Sequence, residues 1–270
     1  MTPAATDSLF LSRLLLNPCS RHVRSEMAHP YEMHRTLMRA FPHATNDTLS
    51  TARDQFGVLF RAECDERHGR AMVLVQSLLK PNWAFLNELD DYLRADGEIP
   101  CVSCKDIMPA YRNLHYGQTL RFRLLANPTK RIAKQDDPMK GKRVELAREN
   151  EQIAWLTRKG QEREKGVPGG FELLTKEVKD MRGETRMVPR VNVSAEGKQK
   201  GRKRDAAGGH STTHLAVLFE GLLRVTDKDA FLETLIHGVG PGKAFGFGLL
   251  SVGAVSDRRR RSEIDATTCL

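Results

Sequence analysis

LFLSRLLLN at residues 9–17, followed by PYEMHRTLMRAF at 30–41, is the strand-then-helix opening on which the fold turns. The first stretch is apolar enough to begin a sheet. In the second, Met33, Leu37, Ala40 and Phe41 recur at helical spacing, so one face can bury. Pro30 suits a first helical position, where its missing N–H costs nothing, and Pro42 closes the helix. Between the two, residues 19–29 read as a polar loop carrying Arg21, His22 and Arg24.

Working outward, FGVLFRAEC at 56–64 and AMVLVQS at 71–77 read as strands joined by a hairpin-like turn at 66–69. Residues 82–94 place Trp83, Phe85, Leu86, Leu89 and Leu93 at helical spacing, and a short strand after Gly97 completes strand–helix–strand–strand–helix–strand. The order then recurs. QTLRFRLLAN at 118–127 alternates as a strand, 149–158 is helical, and 171–174 is a strand. HLAVLFEGLLRV at 214–225 is a long strand with Gly221 as a bulge, 229–237 is a short helix, and GFGLLSV at 246–252 is the last strand.

The expected fold is therefore α+β, with two tandem ferredoxin-like (RRM-like) domains over 9–116 and 117–255. A polar leader (1–8) precedes them. A Gly-rich stretch (179–213) with Lys198, Lys200, Arg202, Lys203 and Arg204 reads as a mobile insertion. Residues 256–270, with Arg258–Arg261 in a run, read as a disordered basic tail.

The chain has 270 residues, 40% of them hydrophobic, and a net charge of +9, which points to a polyanionic partner. No apolar run approaches the roughly 20 residues of a membrane span. Residues 9–16 are interrupted by Ser12 and Arg13 with no small-residue cleavage pattern after them, so no signal peptide is read. Five scattered cysteines fit reduced thiols and a cytoplasmic location.

On the opening helix, Tyr31 and His34 stand three positions apart, with His34 at the rim of the apolar face and Arg35 and Arg39 on the polar side. A histidine, a phenol and two cations thus face one partner, although the same pattern also serves simple packing. GVGPGKAFGFG at 238–248 fails as a phosphate loop. His237 stands where a P-loop needs glycine, Ala244 where it needs Ser or Thr, and the loop follows a helix rather than a strand. Its glycines permit tight turns and close backbone approach, and N–H groups beside Lys243 can meet an RNA phosphate. Cys101-x-x-Cys104 is only half of a zinc site, and no dense carboxylate group supports metal-assisted phosphodiester cleavage. No metal and no cofactor is expected.

Several stretches together resemble one family, the CasE-type pre-crRNA endoribonucleases of type I-E CRISPR systems. They are LFLSRLLLNPCSRHVR (9–24), PYEMHRTLMRAFP (30–42), FRLLANPTKR (122–131), GKRVEL (141–146), EQIAWL (151–156), LFEGLLRVTD (218–227) and GVGPGKAFGFGLLSV (238–252), in family order. The resemblance implies two ferredoxin-like domains that bind the repeat hairpin of a precursor RNA and cut at its base without metal. It also implies retention of the mature crRNA beside the other Cascade subunits. It places the family's Tyr-x-x-His pair on Tyr31 and His34. His29 stands where the family often has aspartate, which weakens the helix N-cap.

Such an enzyme uses the RNA's own 2′-hydroxyl as nucleophile. Histidine suits the proton transfer, as general base on the 2′-OH or general acid on the leaving 5′-oxygen. Tyr31 positions the phosphate or assists, and Arg35, Lys130 or Lys243 offsets the developing charge. The basic segment with Lys130, Arg131, Lys134, Lys140, Lys142 and Arg143, broken by Pro138 and Gly141, reads as a loop or two-stranded finger for the hairpin. Arg21, Arg24, Arg35, Arg39 and Lys243 complete the candidate RNA contacts. The alternative is a hairpin-binding assembly subunit whose Tyr31–His34 pair is structural.

Overall fold

A computed structural model describes residues 7–42, 55–65, 69–94, 99–134, 137–179, 183–203 and 210–255. Most of the leader, the turn at 66–68, Arg204 and the tail from 256 lie outside the described residues. The chain opens with β1 (Phe10–Leu16), α1 (Arg21–Ala28), α2 (Pro30–Met38), β2 (Leu59–Asp65), β3 (Arg70–Ser77) and β4 (Val102–Asp106). These strands form an antiparallel sheet in the order β2-β3-β1-β4. The period-2 pattern buries Leu14, Leu16, Phe60, Val73 and Val75 on one face, where Met33 and Leu37 of α2 and Val23 of α1 cover them.

Two readings of this half need correction. Residues 19–29 are not a loop, because 21–28 form α1, with Ser20 as N-cap accepting from the Val23 N–H. Composition hides this helix because a charge sits on its buried side. Glu26 is only 3% exposed. Its carboxylate accepts from the Tyr92 hydroxyl (2.6 Å) and from Thr36 of α2, and pairs with His22 (3.1 Å). A buried carboxylate this well partnered ties α1 to α2. Burial and the same carboxylate push the Tyr92 phenol well up.

The expected helix at 82–94 shrinks to a 3-10 turn at Ala84–Glu88. Trp83 Nε1 donates to Ser12 Oγ (3.0 Å), and beyond the turn the backbone pairs with the end of β1. Asn17 N–H donates to Tyr92 O (2.9 Å) and Arg94 N–H to Leu15 O (3.1 Å). Tertiary hydrogen bonds to β1 outcompete helical propensity there.

A short α3 (Met108–Arg112) leads to β5 (Thr119–Ala126), β6 (Thr129–Lys134), β7 (Asp137–Glu145) and α4 (Glu149–Gln161). Then come β8 (Glu162–Glu164), β9 (Val167–Pro168), β10 (Phe171–Leu173), β11 (Thr175–Lys179) and β12 (Thr185–Pro189). The chain continues with β13 (Val191–Lys203), β14 (His210–Val225), α5 (Lys228–His237), a 3-10 turn (Lys243–Phe245) and β15 (Leu250–Ala254). The second sheet runs β10-β14-β5-β15 with β13 added on β14. If β5, β10, β14 and β15 are counted as first to fourth, its order is that of the first sheet. The fold is a tandem of ferredoxin-like units. Trp155 of α4 and Phe231 and Leu235 of α5 close the second core over Phe122, Phe171, Phe219 and Leu223.

Of the stretch 179–213, expected as an insertion, residues 179, 183–203 and 210–213 are described. Much of it is strand, since β13 follows β14 from the Val191–Gly221 pair to the Lys203–His210 pair. Ladder hydrogen bonds use the backbone, so a polar sequence can serve on a sheet edge. The bulge expected at Gly221 lies instead between Ala195 and Lys198. Gly221 is in regular register with Val191 and Phe122, and a Cβ there would stand 2.3 Å from Arg190 O. Gly221→Ala forces that crossing apart and costs about 1–3 kcal/mol. Thermal unfolding of the variant measures this, and an unchanged midpoint refutes it.

The two sheets are joined by buried contacts. Leu9, Ile107 and Met108 pack with Ile236 of α5. Gln76 Nε2 donates to Leu235 O (2.8 Å). Arg61 on β2, 3% exposed, donates to Leu249 O (3.1 Å), Ser251 Oγ (3.0 Å) and Arg123 O (3.3 Å) across the seam.

Candidate active site

The site forms where α2 of the first unit meets the glycine-rich loop of the second. Pro30 starts α2 as its sequence requires, while His29 makes no side-chain cap. The His29 ring instead bonds Ser25 O (3.0 Å) at the end of α1. Three-residue spacing then sets the Tyr31 and His34 rings 6.1 Å apart.

The second unit closes over this pair. Gly242 and Gly246, at φ 83° and 79°, bracket the Lys243–Phe245 turn in backbone that only glycine adopts readily. A Cβ on Gly246 would lie 3.2 Å from the Phe60 ring, and one on Gly238 would lie 2.9 Å from Leu59, so the loop sits directly on β2. The turn puts Phe245 5.7 Å from Tyr31. Rings then continue in a row. His34 stacks on Phe60 at 6.1 Å, and Phe245 packs on His214 of β14 at 4.5 Å. β13 also passes against α2.

One expectation changes here. His34 is not at an open rim but 2% exposed, with its ring stacked on Phe60 of β2. Tyr31 is half-buried, at the mouth of the pair.

The candidate cations are not all brought to this place. Lys243 is, as the first residue of the turn that carries Phe245. Arg35 points to the exposed side of α2, paired with Glu32 at 2.8 Å. Arg39 lies 4.4 Å over the Phe85 ring. Arg21 and Arg24 are exposed on α1. The basic segment is a two-stranded hairpin of β6 and β7. Lys130 on it pairs with Glu151 (3.1 Å), and Arg131 stands directly across from Arg143, both exposed. Lys140 and Lys142 lie on β7, with Lys142 paired to Ile132. Like charges opposite each other destabilise an isolated hairpin, and an anion between them removes that cost.

Among the described residues no group of three or more His, Cys, Asp or Glu is placed to hold a metal ion, and no helix is long and apolar enough to cross a membrane. A cleft of about 780 Å³ between the sheets is lined by Arg61, Arg121, Arg123, Arg190, Glu63 and Glu220, none of them a candidate from sequence. Sequence reasoning also missed Phe245 and His214. An aromatic flanked by glycines, as in AFGFG, is the one local sign of Phe245.

Comparison with known proteins gives a consistent result. The family model described as CRISPR associated protein matches residues 9–253. The CRISPR-associated endoribonuclease Cse3 of Thermus thermophilus is 41% identical over 246 residues, 90% of this chain and 99% of that protein. The CRISPR system Cascade subunit CasE of Escherichia coli is 32% identical over 145 residues, 52% of this chain and 60% of that protein. A solved structure of Thermus thermophilus Cse3 bound to an RNA representing a pre-cleavage complex superposes with a TM-score of 0.64 at 38% identity. It covers 91% of this chain and 99% of its own.

Proposed function

We propose that this chain, which belongs to the CRISPR-associated protein family, is an endoribonuclease that cuts precursor CRISPR RNA at the base of the repeat hairpin. The observation that carries the reading is the Tyr31–His34 pair set against the Lys243–Phe245 turn, at a seam between two units. The 2′-oxygen attacks the phosphorus and the 5′-oxygen leaves, so one proton departs from the 2′-OH and one arrives at the 5′-oxygen. His34 moves one of these protons and Tyr31 orients the phosphate or assists with the other. Lys243, on the facing turn, offsets the charge that builds on the phosphorane. The products are a 2′,3′-cyclic phosphate and a 5′-hydroxyl. Because His34 is buried, the RNA enters by parting the seam beside Tyr31.

The β6–β7 hairpin and the arginines of α1 hold the RNA stem through its phosphates, as a narrow major groove demands. The product stays bound, and the protein serves as a subunit of a Cascade complex in the cytoplasm. Cleavage of a repeat hairpin in EDTA, with product ends mapped to a cyclic phosphate and a 5′-hydroxyl, is the expected result. Burial of His34 favours a second reading, a hairpin-binding subunit without activity, and tight binding with no cleavage in any buffer would establish it. Replacing Arg131 and Arg143 together by Ala weakens hairpin binding and lowers the log–log salt slope by about 2, which a salt titration of Kd measures. An unchanged slope would remove both from the phosphate contacts.

A further inference from the structure

At the far end of the ring row lies a polar cluster that the cleavage mechanism does not use. Asn127, just past the end of β5 and buried, brings its side-chain N–H to His214 Nδ1 at 2.9 Å. An amide nitrogen can only donate, so Nδ1 accepts and the neutral ring carries its proton on Nε2. Gln199 of β13 is the cross-strand partner of His214, so the two side chains share one face of the sheet. His214 Nε2, Asn127 Oδ1 and Gln199 Oε1 are all sealed from solvent with no hydrogen-bond partner among the described residues. Native proteins rarely leave one such atom unsatisfied, and three in one cluster mark a site that something else completes.

Position and chemistry say what completes it. The His214 ring packs on Phe245, and Phe245 packs on Tyr31, so the cluster is one ring beyond the cleavage pair. A phosphate offers acceptors only, and could answer the Nε2–H but not two amide oxygens. The Glu145 carboxylate, which accepts from the Leu215 N–H and acts electrostatically on His214, further disfavours an anion. A nucleobase edge supplies both an acceptor and N–H donors. Burial holds His214 below its ordinary pKa, which keeps the ring neutral and suited to such an edge.

We propose that His214, with Asn127 and Gln199, reads the base of a nucleotide next to the scissile phosphate and so positions that phosphate between Tyr31 and His34. The inference rests on the nuclease reading above. His214 is a positioning residue here, since it touches the substrate's base and not the reacting atoms. Phe245 covers the cluster in the free protein, and the entering nucleotide displaces it.

The test uses synthetic repeat hairpin RNAs carrying a single abasic nucleotide at successive positions on either side of the cleaved bond. Single-turnover rates are measured for wild type, His214→Ala and His214→Gln. At one position the wild type loses about tenfold in rate, the size of a lost base hydrogen bond. His214→Ala shows the same loss on intact RNA and no further loss on that abasic RNA. His214→Gln, which retains an N–H, recovers part of the rate, and hairpin Kd stays within about twofold for all three. Additive losses at every position would overturn the proposal and leave the cluster a structural pocket filled by trapped water. An intact-RNA rate for His214→Ala equal to wild type would overturn it too. A wild-type protein that binds the hairpin but never cuts it overturns the nuclease reading itself, and this inference with it.

Discussion

His34→Ala lowers the single-turnover cleavage rate of a repeat hairpin by about 10²–10⁴-fold, the range for removing a general acid–base group, while the hairpin Kd changes by no more than a few fold. Two features of the site set this expectation. The ring lies 6.1 Å from Tyr31 and is 2% exposed, so bulk water cannot readily take over its proton transfer. Arg35, the neighbouring cation on α2, is turned outward to Glu32 and does not substitute for it. Truncation also leaves a void beside Phe60, against which the imidazole stacks. A thermal melt therefore accompanies the kinetics, and His34→Gln, which fills the space but moves no proton, separates the two effects. Both variants are expected to be slow. A His34→Gln enzyme with near wild-type rate would assign His34 to packing and strip it from the mechanism.

Arg61→Met is the second large effect, and it falls on stability. The Arg61 guanidinium donates to two backbone carbonyls and a serine of the second unit and to Glu63 (2.7 Å), which in turn faces Arg123 at 3.6 Å. Burial lowers the Arg61 pKa from its ordinary value and Glu63 opposes that shift, so the cation is kept by its partners. Methionine replaces the volume and strands those acceptors. The expected cost is about 2–4 kcal/mol, from several buried hydrogen bonds and one broken ion pair. For a chain of this size that lowers Tm by about 4–16 °C. Because Leu249 and Ser251 follow the glycine-rich loop directly, cleavage should also weaken below the melting range. A Tm within 1–2 °C of wild type would show that the seam is held by its apolar contacts alone.

Local physics explains what could be read without coordinates. Strand β5 announces itself by apolar alternation, β1, β3 and β14 by apolar runs, and α2 by its period and its proline, so the doubled strand–helix order was legible. The spacing of Tyr31 and His34 is a property of one helical turn and needs no partner. The same logic explains the failures. α1 buries Glu26, which looks like surface until Tyr92 and Thr36 arrive from elsewhere. Residues 82–94 have a helical pattern, but Tyr92 O and Arg94 N–H are claimed by the end of β1 and Trp83 by Ser12. β13 has a loop's composition and is a strand because β14 offers it an edge.

The sequence by itself therefore determined the elements whose stability is local and the candidate pair carried on one of them. Only the tertiary structure decided what surrounds that pair. Lys243, Phe245 and His214 stand about 180 residues or more from Tyr31 along the chain, and no periodicity links them. They meet because glycines at 238 and 246 let a backbone lie against Leu59 and Phe60, and because Arg61 binds the following strand. Close approach and buried polar pairing act through space, which is why a covered His34 and an unsatisfied His214 could be found only once the chain was folded.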